Sequence, residues 1–275
     1  MKKVLKTMLL ISVCFLLTAC WRKEDEVENP MKKYDSLEEI NEIAKSKIVP
    51  PALAGITDEQ YYMVDHNTAA YKFKINGLPY TIRACADPNV DMSGVFVNGR
   101  AVFEDCSLPL DYAESEYYKI YRFLIGKFQY IFGVEDNGAV DKDTFFEQFS
   151  EVYETILDAS TPEEVKKLVG NYQDSTSQRA SATVNIIDVD KIFIDVTWPS
   201  SATESDGWSI TAKVDDGIAS YDEIQHIRSS EVDGEEKVDE LNDYEAGYFE
   251  IQEGKLLWTG SGNPQTYECV FEKID

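Results

Sequence analysis

Histidine and cysteine are scarce, with two of the first and five of the second in 275 residues. Two histidines leave little room for imidazole catalysis or a His-rich metal site, and no cluster offers the four closely spaced Cys or His ligands of zinc. Five cysteines are too few for a disulfide-dense miniprotein. Bases are outnumbered, 26 Lys+Arg against 51 Asp+Glu, for a formal charge of −25. Phosphate backbones need a cationic face, so nucleic acid is excluded as a partner. The apolar run Met8–Ala19 spans only about 18 Å as a helix, short of a hydrocarbon core of about 30 Å. No Gly-x-Ser-x-Gly elbow occurs, and Gly260-Ser261-Gly262 reads as a turn. Acid pairs such as Asp188 and Asp190 lack the glycine and distal glutamate of an EF-hand loop. No metal and no cofactor is expected. What the chain does have is an apolar share of 43% and an aromatic share of 12%, enough to build a core and exclude wholesale disorder.

Lys2, Lys3 and Lys6 precede the apolar run, and small residues close it. That is the pattern of an export signal. Its last four residues, Leu17-Thr18-Ala19-Cys20, resemble the lipobox of bacterial lipoproteins. The resemblance implies cleavage after residue 19 and a diacylglycerol on the Cys20 thiol, with fatty acyl chains such as palmitate holding the protein to the membrane. Two chains at roughly 0.8 kcal/mol per buried methylene make a lasting anchor. Cleavage would remove three lysines and no acid, leaving 23 bases against 51 acids, or −28. An anionic membrane surface repels such a body, so the lipid must hold it there. Residues 20–33 are charged, show no apolar period and read as a tether.

Residues 34–160 read as an α+β domain. Ser36 with Glu39 fits a capping box for a first helix. Strands at 61–64, 70–75 and 78–84 follow, the last two joined by Asn76-Gly77, a strong hairpin signal. Asn98-Gly99 marks a second candidate hairpin. Residues 116–124 fit either period; Gly126 and the alternating Phe128, Tyr130 and Phe132 favour a strand. Thr144 with Glu147 caps a helix whose stripe runs from Phe145 to Leu157. A short helix opens at Thr161 with Pro162 at its first position and Glu164 closing the box, and ends at Gly170. From there period two takes over, and residues 161–275 predict a helix-capped antiparallel meander of about eight strands that closes to hide its edges. Residues 231–243 read as a long acidic hairpin loop. No near-identical internal repeat stands out.

Two resemblances go further. The segments YDSLEEINEIAKSKIVPP, AAYKFKINGLPYTIRA, DMSGVFVNGR, GNYQDSTSQRASATV and GKLLWT resemble Firmicutes cell-envelope lipoproteins and the modules found behind anti-sigma factors, a family that brings no catalytic residues with it. The C-terminal barrel is similar in plan to the calycins, the lipocalin-like barrels that often hold small apolar ligands. Their opening Gly-x-Trp corresponds to Gly170-Asn171-Tyr172, with Tyr in place of Trp, and the last strand lacks the arginine that packs on that indole.

Tyr172, Trp198, Trp208 and Trp258 sit in barrel strands, lining either a packed interior or a ligand cavity. Cys85 and Cys106 are a candidate disulfide, closing a loop of about 20 residues worth roughly 3 kcal/mol in a compartment that permits it. Cys269 shares a face with Tyr267 and Phe271 and reads as a core thiol. The expected protein is a non-enzymatic binding or accessory lipoprotein outside the cytoplasmic membrane. Its partners would be the membrane, through Cys20, and a cationic protein, a wall component or a small apolar ligand. The alternatives are an inhibitor of a cationic, lysozyme-type envelope hydrolase, or a hydrolase that uses carboxylates.

Overall fold

Runs of alternating apolar and polar residues build two antiparallel sheets, one covered by helices and one rolled into a closed barrel. The computed structural model describes residues 31–87, 92, 104–105, 110–136, 138–232, 235–241, 246–260 and 269–274. The signal, Cys20, Cys106 and the hairpin expected at Asn98-Gly99 lie outside the described residues. No described helix is long and apolar enough to cross a membrane.

The first sheet has eight strands: β1 (Met31–Tyr34), β2 (Ile56–Val64), β3 (Thr68–Ile75), β4 (Leu78–Cys85), β5 (Glu104–Asp105), β6 (Leu110–Glu114), β7 (Tyr118–Ile125) and β8 (Phe128–Glu135), in the order β1-β2-β3-β4-β8-β7-β6-β5. Met31–Lys33, in the segment read as tether, therefore pair with β2. Residues 116–124 resolve in favour of strand.

A degenerate repeat lies beneath this order. Tyr71, Phe73, Ile75 and Tyr80 recur fifty positions later as Tyr121, Phe123, Ile125 and Tyr130. The two meanders meet at β4 and β8, where Tyr80 faces Val134, Ala84 faces Tyr130 and Ile82 faces Phe132 at the centre. Each pairing maps onto the other, so a local twofold axis passes through the Ile82–Phe132 pair. Ring geometry repeats too: Phe73 stacks on Tyr80 at 5.7 Å and 12°, Phe123 on Tyr130 at 5.4 Å and 15°.

Helices α1 (Leu37–Ala44) and α2 (Lys142–Ser160) cover the aromatic face with Leu37, Ile40, Phe145, Phe149, Val152 and Ile156. Ser36 caps α1 as its spacing predicts. The cap of α2 is Asp141 rather than Thr144; its carboxylate accepts the Thr144 N–H and hydroxyl, at 2.8 Å each. Asp caps as well as Thr and gains from the helix dipole, so the stronger candidate three residues upstream wins. The opposite face of the sheet buries Cys85, Ile120 and Ile131.

The second sheet contains β9 (Gly170–Asp174), β10 (Ser181–Asp188), β11 (Lys191–Pro199), β12 (Glu204–Asp215), β13 (Ile218–Tyr221), β14 (Gln225–Val232), β15 (Glu235–Leu241), β16 (Gly247–Gln252), β17 (Lys255–Gly260) and β18 (Cys269–Ile274). Eight of them close a ring, with β11–β12 and β9–β18 pairings completing it. The acidic stretch expected as a loop is instead the β14–β15 hairpin, whose ladder pairs His226 with Leu241 through to Val232 with Glu235. Charged residues in both registers of the hairpin, Arg228 and Asp239 in one and Glu240 in the other, suppress the hydrophobic alternation that normally announces strands. The single strand expected at 217–225 is split into β13 and β14, both paired to β12.

One end of the ring is plugged. After the short helix α3 (Glu163–Lys166), capped by Pro162, the chain tucks Val165 and Leu168 into the barrel core. The Tyr172 hydroxyl donates to the Leu168 carbonyl at 2.9 Å. At this end the β10–β11 turn meets the first sheet: Gly126 N–H donates to Asp188 Oδ1 at 2.7 Å, and Val189 packs over Gly126 where a Cβ would stand 2.9 Å from it.

Candidate functional site at the tryptophan end of the barrel

Side chains at alternate positions of a strand share a face. On β12 the inward set is Asp206, Trp208, Ile210, Ala212 and Val214; on β11 it is Ile192, Ile194, Val196 and Trp198. From the plug to the waist these positions are filled. Tyr172, Val184, Ile194, Ile210, Phe249 and Phe271 are each at most 1% exposed. Tyr172, expected among the ligand-lining aromatics, is therefore a structural post of the closed end.

The other three aromatics lie towards the opposite end. Trp258 is buried; it stacks on Phe249 at 5.4 Å and donates its indole N–H to the Tyr221 hydroxyl at 2.7 Å. Gly247 faces Tyr221 across the β13–β16 ladder. A Cβ there would collide with the Tyr221 hydroxyl and stand 2.6 Å from the Thr259 carbonyl. Only glycine leaves room for that hydroxyl. Trp208 packs edge-on against Trp258 at 5.6 Å, and it and Trp198 are half-buried.

Sequence reasoning passed over the polar half of this cluster. β12 runs past the ring, and its first half carries the β14–β15 hairpin as an extended wall. Pairing sets Trp208 opposite His226 and Asp206 opposite Arg228. The imidazole stacks on the Trp208 indole at 4.6 Å and 19°. Its Nε2 lies 3.1 Å from Asp206 Oδ1. A carboxylate accepts, so the imidazole carries a proton on Nε2. The same oxygen accepts Arg228 Nε–H at 2.9 Å. The His226 and Asp206 side chains are 9% and 14% exposed, whereas that of Arg228 is 49% exposed. Two charged groups and an imidazole are thus fixed in a lattice beside two indoles. Strand register was the missing signal, because 208 and 226 are neighbours only once the β13–β14 kink is known.

A His–Asp pair could orient a base for catalysis, which requires a nucleophile at hydrogen-bond distance. Ser205, Ser209 and Ser229 belong to the outward face of the wall. Ser230 points inward but stands four residues along β14 from His226, roughly 13 Å.

Cys85 is buried as a free thiol at the end of β4, and Cys106 lies outside the described residues. Cys269 is buried opposite Trp258. Burial, with Asp174 adding, pushes its thiol up to about 12. Among the described residues no group of three or more His, Cys, Asp or Glu is placed to hold a metal ion. No family model, no curated protein and no solved structure matches the chain.

Proposed function

We propose that this is a lipid-anchored extracytoplasmic lipoprotein whose barrel is a non-enzymatic binding module, with the end opposite the plug as its ligand site. The observation that carries the reading is the asymmetry of the barrel. One end is closed by α3 and Tyr172, and the other presents Trp198, Trp208, His226, Asp206 and Arg228. Mouths of β-barrels are a common place for ligand sites, in which a few fixed polar groups orient a partner against apolar walls. The interior supports a ligand seated at the mouth, not one swallowed whole.

We read residues 34–160 as an α+β unit and the barrel as calycin-like in plan. Lys273 supports the latter. It stands on the last strand opposite Tyr172, with Nζ 6.0 Å from the ring centroid and donating to the Val169 carbonyl at 2.7 Å. That lysine fills the place of the arginine whose absence the sequence suggested. Anchoring rests on Leu17-Thr18-Ala19-Cys20.

Two measurements test the proposal. Cells expressing the protein should incorporate labelled palmitate into it, and the Cys20→Ser variant should not; label on both would contradict the anchor. Native mass spectrometry of the protein exposed to envelope extract should show a retained species that Trp208→Ala loses. Retention unaffected by that substitution would place the site elsewhere.

A further inference from the structure

A closed ring gives each of its strands a neighbour on both sides. The wall that leaves the ring ends differently. Its order is β11-β12-β14-β15, and β15 pairs with β14 alone. Every second residue of an antiparallel strand turns its N–H and C=O away from the strand it is paired to. On β15 those groups meet no hydrogen-bonding partner among the described residues.

An open edge is a template for a further strand, and proteins blunt such edges with shortness, proline, a bulge, a cover or charge. β15 has seven residues and no proline. Its ladder runs from Leu241 opposite His226 to Glu235 opposite Val232 without a shift of register. Lys237, Val238, Asp239 and Glu240 are exposed. What guards the edge is charge, and the charge is of one sign. Residues 225–241 contain six acids and two Lys/Arg. Both bases are engaged in one register, Arg228 with Asp206 and Lys237 with Asp239. The other register of β15 holds Glu236, Val238 and Glu240, facing Glu231, Ser229 and Ile227 across the ladder, with no base on either strand.

Such an edge discriminates between strands. It repels a like-charged one, including β15 of a second copy of this chain. It draws in a strand with bases at matching positions, which then sit about 5 Å from the acids they face. We propose that β15 is a docking edge for an extended cationic segment of a partner protein, added to the wall as one more strand. Positions 236, 238 and 240 call for basic, apolar and basic residues at alternate places of the incoming segment. Main-chain hydrogen bonds supply the affinity, and that pattern selects the partner. The edge is separate from the indole cluster, and the inference stands whether or not that cluster binds a ligand.

The probe is a nine-residue peptide with lysine at its first, fifth and ninth positions, valine at its third and seventh, and threonine between. Titrated into the intact protein, it should bind saturably and at least tenfold more weakly at 500 mM than at 50 mM salt. Hydrogen exchange of amides in 235–241 should slow when it is bound. Glu236→Lys combined with Glu240→Lys should weaken binding tenfold or more and admit the same peptide with glutamate in place of lysine. A copy of the lysine peptide methylated on the backbone nitrogens of its central five residues keeps the charge but cannot pair. It should bind at least tenfold more weakly. Absence of binding, or equal binding of the methylated peptide, overturns strand addition. Binding that Trp208→Ala abolishes, with exchange in 235–241 unchanged, seats the peptide at the indoles; the edge assignment then falls while the proposed ligand site stands. Self-association of the protein in sedimentation, with slowed exchange in 235–241, makes a second copy the occupant and also overturns the assignment. Should the charge-reversed variant fail to fold, exchange in the wild-type protein with and without peptide still decides.

Discussion

The Tyr221 hydroxyl accepts the indole N–H of Trp258 at 2.7 Å, with Gly247 facing the phenol across the ladder where any side chain would collide. Trp258 in turn backs Trp208, which backs His226. The site at the rim is therefore backed by a buried hydrogen bond. Tyr221→Phe should leave the indole donor without its acceptor and cost about 1–3 kcal/mol in denaturant unfolding. A change under a few tenths would mean that the bond contributes nothing to the fold.

The plugged end makes a separate prediction. Gly170 has φ +147°, and a Cβ there would stand 2.5 Å from Lys273 Cε. Lysine can swing away, but the backbone cannot relax without moving β9. Gly170→Ala should cost roughly 1–3 kcal/mol, more than Lys273→Met, when both are measured by urea titration.

Acid should loosen the first sheet through Asp136. Burial opposes its ionisation, yet the Val140 N–H, Lys119 and the Gly138 N–H together hold the carboxyl below the ordinary carboxylate value. A depressed folded pKa gives stability that is complete above the unfolded value and is lost as pH falls through the folded one. Stability should therefore decline below about pH 4, and Asp136→Asn should flatten that decline. Lys119 and Asp136 side chains are 4% and 0% exposed. Lys119→Met should thus strand a buried carboxylate and cost roughly 3–5 kcal/mol at neutral pH.

Cys269 supplies a chemical test of burial. With its thiol pushed up to about 12, it should resist iodoacetamide at pH 8 in the folded protein and react once the chain is unfolded. Peptide mass mapping distinguishes it from the other cysteines.

Local rules carried much of the fold. Asn76-Gly77 turns as its dipeptide demands, with φ of +52° and +82°. Alternation at 192–198 and 208–214 read directly as barrel strands. What local rules hid was non-local or masked by charge. The twofold relation of the meanders survives as spaced aromatics, Tyr71 with Tyr121 and Phe73 with Phe123, too sparse to register as a repeat without the β4–β8 pairing. The β14–β15 hairpin lost its apolar alternation to acids. The rim site was half legible. Its indoles stood out as barrel tryptophans, but Asp206, His226 and Arg228 acquire meaning only through a register that joins residues about twenty apart. Tyr172 lies buried at the plugged end, and an inward aromatic in a closed barrel looks the same in sequence whether it meets a ligand or a plug.

The most direct test of a binding end is residue-resolved. Four indole N–H signals are expected from the intact protein's tryptophans, and each can be assigned by substitution. On adding envelope extract, the Trp198 and Trp208 signals should move in a saturable way while Trp258, held by Tyr221, keeps its position. If all four stay fixed at saturating extract, the end opposite the plug is not where this barrel meets its ligand.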